Sequence, residues 1–422
     1  MLRTSYLTVI LLLLWSCFAS AADLTLKECF KRAAQMNPTL MVAAHNKNLA
    51  KEDVNIARSG YLPRIDVQGG YTLQDNPQAF KALGGSFEIQ EKDYSSLNLV
   101  LNQTIYDFGK TSSGYNKSKA REKAVGFDYK GKEQDVFLQV VTAYYGIWEA
   151  KKILQSADEE VLQMTQHLQI SKDFYEQGVS TLNDFLQAEV KLAASRQQQL
   201  AAANILENRW LLLNYLINQE PSYRPELEDR LEHIEDLPAQ GIEKAVETRQ
   251  EIKAMKEIVE ASKYEVQDSR SNYAPQVFMQ LGFDYTENDK AREQSIAMAM
   301  IGLKINIFDG LATTSGYRRA VEQKAQNQKK LRLLTEQIKL EYRTAANDAM
   351  IAKERINATE KAIEQGEENL RITKDRYQEL VGTATDVIDA QTLLTQVRTD
   401  NYRAKFDYQV ANARVKRAMG EL

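Results

Sequence analysis

The chain has 422 residues, 43% hydrophobic and 27% charged, with 54 basic against 58 acidic side chains and a formal charge of −4. So even a balance excludes an electrostatic nucleic-acid binder. The three histidines, His45, His167 and His233, have no second His or Cys at metal-ligand spacing, which argues against a zinc or His-based catalytic site. Only 7 Pro and 19 Gly interrupt the chain, so its elements should be long.

Arg3, an apolar run from Leu7 to Trp15 and the small residues Ala19, Ser20, Ala21 and Ala22 form the pattern of an export signal over residues 1–22. The run is too short for a membrane helix, which needs about 20 residues. Cleavage leaves Cys29 as the lone cysteine, so no intrachain disulfide is expected. Cleavage before Cys17 would instead open that residue to lipid modification.

Two halves of the chain repeat each other. Arg58, Ser59, Tyr61 and Pro63 recur as Arg270, Ser271, Tyr273 and Pro275, a shift of 212. Later the shift is 202, pairing Asp107 with Asp309, Tyr115 with Tyr317, Lys172 with Lys374, Tyr175 with Tyr377 and Asp184 with Asp386. The ten residues lost between the two shifts fall between Pro63 and Ile105, where a hairpin loop is the natural place for them. Repeat 1 covers 23–217 and repeat 2 covers 241–422. Between them, residues 218–240 hold Pro221, Pro225, Pro238 and many acids and read as a linker.

In chain order, repeat 1 opens with helix, including residues 38–60. A β-hairpin follows at about 64–107. Its strands alternate Ile65, Val67, Tyr71 and Leu73 with Asp66, Gln68 and Thr72, then Leu97, Leu99, Leu101 and Ile105 with Ser96, Asn98, Asn102 and Thr104. Residues 74–93 between them are polar and read as an exposed loop. A Pro-free segment, about 111–177, carries Phe137, Val140, Val141, Tyr144, Ile147, Trp148 and Leu154 three and four apart, the rhythm of a coiled-coil helix. At about 1.5 Å per residue such a helix reaches roughly 96 Å. It needs an antiparallel partner, which the helix before the hairpin and another at about 181–217 supply end to end.

Repeat 2 has a helix at about 242–272 and a hairpin at about 276–309. One face of this hairpin carries Val277, Met279, Leu281, Phe283 and Tyr285 with Ala299, Ile301, Leu303, Ile305 and Ile307. A long helix at about 313–379 and a last helix at about 384–419 follow.

A hairpin with one apolar face needs another sheet or lipid, and in lipid a sheet must close because unpaired edges cannot survive there. Four strands cannot close, since the smallest transmembrane barrels have about eight. Three chains would give twelve. The expected fold class is an α+β membrane protein of two structural repeats, each a transmembrane β-hairpin with long antiparallel coiled-coil helices. As a homotrimer it would form a twelve-strand β-barrel carrying a hollow ring of helices behind the membrane.

The repeat, Tyr61 to Pro63 and Tyr273 to Pro275 before each first strand, Asp107 and Asp309 after each second strand, and the turns around Tyr175 to Gly178 and Tyr377 to Ala390 together resemble the TolC-like outer membrane factor family. The resemblance covers essentially the whole mature chain. It implies the exit channel of a tripartite efflux pump or type I secretion system, in the outer membrane with a periplasmic extension. It also implies partners: a periplasmic adaptor (membrane fusion protein), an inner membrane transporter of RND, ABC or MFS type, and outer membrane lipid. No nucleic acid and no cofactor are expected.

Both helix turns should lie at the end farthest from the strands. Thr181 to Asp184 and Thr383 to Asp386 each fit a capping box. Asp389 lies one turn past Asp386, and its repeat partner is Gln187, so capping does not require it. The resemblance implies that Asp386 and Asp389 of three chains, with Asp184, line the periplasmic constriction, favour cations and raise one another's pKa. Tyr175, Gly178, Tyr377 and Gly382 are expected to pack the turns. Family members that latch the second turn with a basic residue differ from this chain, where Gly382 to Thr385 is uncharged and Leu380 stands where repeat 1 has Gly178. A trimeric adhesin or autotransporter would group its strands at the C-terminus, and a periplasmic coiled-coil scaffold would not insert. An enzyme would need a clustered Ser, His and acid, which the sequence lacks.

Overall fold

The computed structural model describes residues 23–82, 84–228 and 241–422. The expected export signal, Cys17, and the later part of the expected linker with Pro238 and His233 lie outside the described residues. In chain order the elements are α1 (Leu26–Met36), α2 (Pro38–Ser59), β1 (Arg64–Leu73), β2 (Ala79–Ala82), β3 (Gly85–Glu88), β4 (Asp93–Tyr106), α3 (Lys110–Glu176) and α4 (Leu182–Leu216). Repeat 2 continues with α5 (Gly241–Thr248), α6 (Gln250–Ser271), β5 (Gln276–Thr286), β6 (Ser295–Lys304), α7 (Ala312–Gln378) and α8 (Ala384–Ala418). A shift of 212 carries the bounds of α2 onto those of α6, and a shift of 202 carries α3 onto α7 and α4 onto α8.

The chain divides into two compact units. One, Ala44–Tyr129 with Gln250–Thr335, holds the strands. Its main sheet is antiparallel, in the order β1-β4-β5-β6. The register joins Val67, Leu99, Phe283 and Ala297 in one row, and Ile65, Leu101, Leu281 and Ala299 in the next. Odd-numbered residues therefore meet odd-numbered residues, and the apolar stripes of the separate strands merge into one face. That face is open, with Val67 65% and Ile301 76% exposed. The opposite face is less polar than the sequence pattern suggests, since Val100, Phe278, Met298 and Met300 lie on it. There the Phe278 ring lies across Gly302, where an added Cβ would sit 2.5 Å from the ring. A glycine opposite the aromatic lets it lie flat and cover bare backbone.

Three expectations about these elements are corrected. The 74–93 loop contains its own ribbon, β2 paired with β3 and Phe80 opposite Phe87, because an apolar pair flanking a left-handed Gly84 (φ +79°) suits a tight reversal. The second hairpin's last strand stops at Lys304, so Ile305 and Ile307 lie outside it. The expected 242–272 helix is broken at Arg249, between α5 and α6. Each long helix starts on an aspartate: Asp107 Oδ2 accepts from the Thr111 amide at 2.7 Å, and Asp309 Oδ2 accepts from the Thr313 amide at 3.0 Å. Such carboxylates satisfy amides that have no partner inside the helix.

The other unit comprises the chain up to Ala43, Lys130–Arg249 and Glu336–Leu422. Its core gathers Cys29 and Ala33 of α1, Val140, Ala143, Tyr144 and Ile147 of α3, and Leu213 and Ile217 at the end of α4. Full burial of each larger aliphatic contributes about 1.5–3 kcal/mol. Burial also pushes the Cys29 thiol up to about 12, so it is protonated and inert. The α5/α6 break at Arg249 matches the α1/α2 break at Asn37, 212 residues earlier. Both residues are buried, at 4% and 1% exposure. Each reaches the end of a later helix: Asn37 Nδ2 donates to the Leu216 carbonyl at 2.9 Å, and Arg249 Nη1 donates to the Arg417 carbonyl at 3.3 Å. Carbonyls at a helix end lack partners within the helix, which explains a polar residue at each break. The first part of the expected linker is docked here, not free. Leu24 N donates to the Glu226 carbonyl at 2.7 Å, and Asn214 Nδ2 holds the carbonyls of Glu220 and Tyr223 at 3.0 Å each.

Candidate functional site

The two helix turns, α3 to α4 and α7 to α8, belong to this second unit and share one backbone pattern. In the first, Gly178 N donates to Tyr175 O at 3.0 Å and Val179 N to Phe174 O at 3.0 Å; in the second, Leu380 N donates to Tyr377 O at 3.1 Å and Val381 N to Arg376 O at 2.8 Å. This closure needs a left-handed residue just past the helix. Gly178 provides it at φ +73°, and in repeat 2 Leu380 is forced into it at φ +61°. Leu380, not Gly382, carries the left-handed backbone, while a Cβ at Gly382 would sit 3.3 Å from the Tyr377 amide nitrogen. Gly178→Ala should cost about 1 kcal/mol through its backbone alone, and Leu380→Gly should gain a similar amount. Thermal unfolding of the two variants checks both signs.

Asp184 and Asp386 complete capping boxes. Thr181 Oγ1 accepts from Asp184 N at 3.2 Å while Asp184 Oδ2 accepts from Thr181 N at 3.3 Å and from Ser180 Oγ at 2.8 Å. Thr383 Oγ1 accepts from Asp386 N at 3.2 Å, and Asp386 Oδ2 accepts from Thr383 N at 2.9 Å. Partial burial opposes ionisation of Asp184, but the bonds from Ser180 and Thr181 outweigh it and hold the carboxyl below its ordinary range. The Thr383 amide first, then further bonding to Thr383 and the charge of Arg376, do the same for Asp386. Within one chain the pull on Asp386 is therefore downward, opposite in sign to the repulsion expected between copies. Asp389 is exposed and has no hydrogen bond or ion pair among the described residues. Its repeat partner Gln187 is engaged locally, where Oε1 accepts from Thr385 Oγ1 at 2.9 Å and ties α4 to α8.

The paired tyrosines differ. Tyr175 is 41% exposed and stacks on Phe185, ring centroids 6.1 Å apart. Tyr377 is buried against Phe174 and His167, at 5.5 and 5.2 Å, and its hydroxyl lies 3.1 Å from Ser171 Oγ. Sequence reading did not connect His167 and Ser171 to this site, because nothing local in α3 marks which residues of α7 they meet. His167 is 3% exposed and its Nε2 has no partner among the described residues. Burial, with Lys374 of α7 adding to it, lowers its pKa to about 4. A histidine with a depressed folded pKa binds its proton more readily when unfolded, so its contribution is whole above pH 6.5 and is lost as pH falls from 6.5 to 4. The loss approaches about 3 kcal/mol. We expect His167→Leu to abolish this part of the acid sensitivity, measured as the difference in unfolding midpoint between pH values of about 7.5 and about 4.5. Equal differences in the two proteins would remove His167 from the role.

A second group that sequence reading missed pins α3 to α4. Glu160, 3% exposed, receives Lys191 Nζ at 3.0 Å and Ser195 Oγ at 2.9 Å. Comparing the repeats could have found it, since the equivalent positions 202 residues on are Ala362, Leu393 and Val397.

Two hairpins that share one apolar face, joined to two pairs of long helices with capped turns, define a subunit of a membrane channel. The chain matches the model of the outer membrane efflux protein family over residues 30–219 and 241–421. It belongs to that family, whose members form exit channels in the outer membrane of Gram-negative cells. It is 23% identical over 416 residues to the outer membrane protein TolC of Vibrio cholerae, covering 94% of this chain and 91% of that one. It is 21% identical to the alkaline protease secretion protein AprF of Pseudomonas aeruginosa, covering 95% and 85%. The solved structure of the Campylobacter jejuni CmeC outer membrane channel superimposes with a TM-score of 0.84 at 17% identity, over 94% of this chain and 85% of that one.

Proposed function

We propose that three copies of this chain close a twelve-strand barrel in the outer membrane and act as a passive exit duct, with no bond chemistry of their own. A periplasmic adaptor docks on the helix turns, and an inner membrane transporter of RND, ABC or MFS type loads the duct. Asp386 and Asp389, with Asp184 nearby, set the charge of its periplasmic constriction, and the packing of Tyr175, Gly178, Tyr377 and Gly382 holds the turns. One observation carries the reading: a continuous apolar face spans four strands whose outer edges, β1 and β6, are both unpaired among the described residues. A sheet of that kind is stable in lipid only when identical copies share their edges. Helices of mixed polarity suit a wall with water on one side. The names of relatives, among them a protease secretion protein, favour a duct that serves both efflux and polypeptide export.

Native mass measurement of the detergent-purified protein should give three chains, and the trimer in planar bilayers should conduct. A monomer that stays soluble without detergent and leaves bilayers silent would defeat the proposal.

A further inference from the structure

The face of the sheet opposite the open apolar one carries a recess at the end where the strands leave the helices. One row of the register joins Arg64 of β1, Asn102 of β4, Gln280 of β5 and Met300 of β6. In the next row on this face Phe278 lies opposite Gly302, and in the row after that Gln276 lies opposite Lys304. Together they border an open cavity of about 840 Å³. Its floor is apolar. Because Gly302 has no Cβ, the Phe278 ring lies flat over it, and Met300, 42% exposed, stands one row away.

The polar groups around that floor are free. Among the described residues the side chains of Asn102, Gln280 and Lys304 have no hydrogen bond or ion pair, and no carboxylate lines the cavity. Arg64 is already tied to Asp66, at 2.9 Å, so Lys304 carries the uncompensated charge of the lining. Forming a hairpin does not require these residues. In repeat 1 the positions equivalent to Phe278, Met300, Gly302 and Lys304 are Asp66, Asn98, Val100 and Asn102, and that hairpin builds the same antiparallel ladder. The flat ring, the methionine and the lysine are additions of repeat 2.

We propose that this recess is a binding site for an amphiphilic anion, a small molecule with a flat apolar body and one acidic group. The body lies on Phe278 and Met300, the acidic group meets the Lys304 ammonium, and the amides of Asn102 and Gln280 bond polar atoms at its rim. An apolar bed with a few convergent polar groups is the usual make-up of a small-molecule site. Charge selects the occupant, since Lys304 attracts an anion and repels a cation of the same shape. An anion without apolar surface gains nothing from the bed. The inference rests on the duct reading above, under which this face lines the passage, and it adds a class of cargo that the barrel itself holds.

Block of single-channel current in planar bilayers tests it, with probes added on the barrel side. They are naphthalene-2-sulfonate, methanesulfonate, which has the charge without the body, and 1-naphthylmethylammonium, which has the body with the opposite charge. Naphthalene-2-sulfonate should interrupt the current at about one tenth of the methanesulfonate concentration. Lys304→Gln should raise its blocking concentration about tenfold, the order of factor that a bond to a charged group supplies, and should not weaken block by the ammonium. Phe278→Leu with Met300→Gln should raise it several-fold while leaving methanesulfonate unchanged. A conducting parent that responds equally to the two sulfonates would overturn the site and leave the duct. So would Lys304→Gln that shortens the trimer's survival on heating while block persists, because Lys304 would then be a contact between copies. A parent that passes no current would overturn the duct reading, and the site would fall with it.

Discussion

Replacing Asp386 and Asp389 together by alanine should raise single-channel conductance in planar bilayers several-fold and weaken block by multivalent cations. Three copies would present six carboxylates within about one helical turn, because residues three apart share a helix face. A ring of that charge attracts cations, binds the multivalent ones strongly and holds them in the path. The two positions contribute differently. Asp386 is engaged by Thr383 in a capping box, so its alanine variant also loosens the start of α8. Asp389 is exposed and serves no cap. Asp386→Asn keeps an acceptor for the Thr383 amide while removing charge, so Asp386→Asn with Asp389→Asn separates electrostatics from folding. If charge sets the barrier, the asparagine pair reproduces most of the loss of cation block. If block and conductance stay at the parental values in both double variants, these carboxylates have no part in the constriction.

Lys191→Ala should be among the most damaging single changes in the helical unit. It leaves Glu160 at 3% exposure with its charge facing only Ser195, and breaking one side of a buried ion pair costs about 3–5 kcal/mol. The second repeat indicates the remedy. At the equivalent positions it carries Ala362, Leu393 and Val397, so that pair of helices does without the buried charges, with Leu393 54% exposed. Glu160→Ala with Lys191→Leu and Ser195→Val should therefore recover most of the lost stability, as buried ion pairs replaced by packed apolar groups commonly do. Thermal unfolding of parent, single and triple variants decides. A triple variant no more stable than Lys191→Ala would show that the buried charges supply stability that packing cannot replace. Full recovery would leave the pair to fix which turn of α4 meets which turn of α3, a recurrent use of buried polar groups between helices.

The legible and illegible parts of the two helix turns separate along the same line. Capping boxes are local, spanning a single turn, and Thr181 to Asp184 and Thr383 to Asp386 could be read directly. Gly178 announces a left-handed turn, but Leu380 does not, since only the repeat alignment places a leucine where the backbone demands positive φ. The burial of Tyr377 by His167 and Phe174 joins helices far apart in the chain, and no spacing within either helix encodes it. The break at Arg249 was hidden for a related reason: an arginine inside a helical stretch reads as surface until its reach to the Arg417 carbonyl is seen.

What the amino-acid order by itself determines here is what depends on short-range periodicity and on self-comparison: two repeats, alternating strands, long amphipathic helices and their caps. Each follows from steric and hydrogen-bonding rules acting within a few residues, repeated often enough to stand above chance. Tertiary structure alone decided that β4 joins β5 and so merges two hairpins into one sheet, that β6 ends at Lys304, and that Glu160 and His167 are buried. Those outcomes depend on contacts between distant segments, where burial and pairing are set by what lies opposite and not by what lies beside.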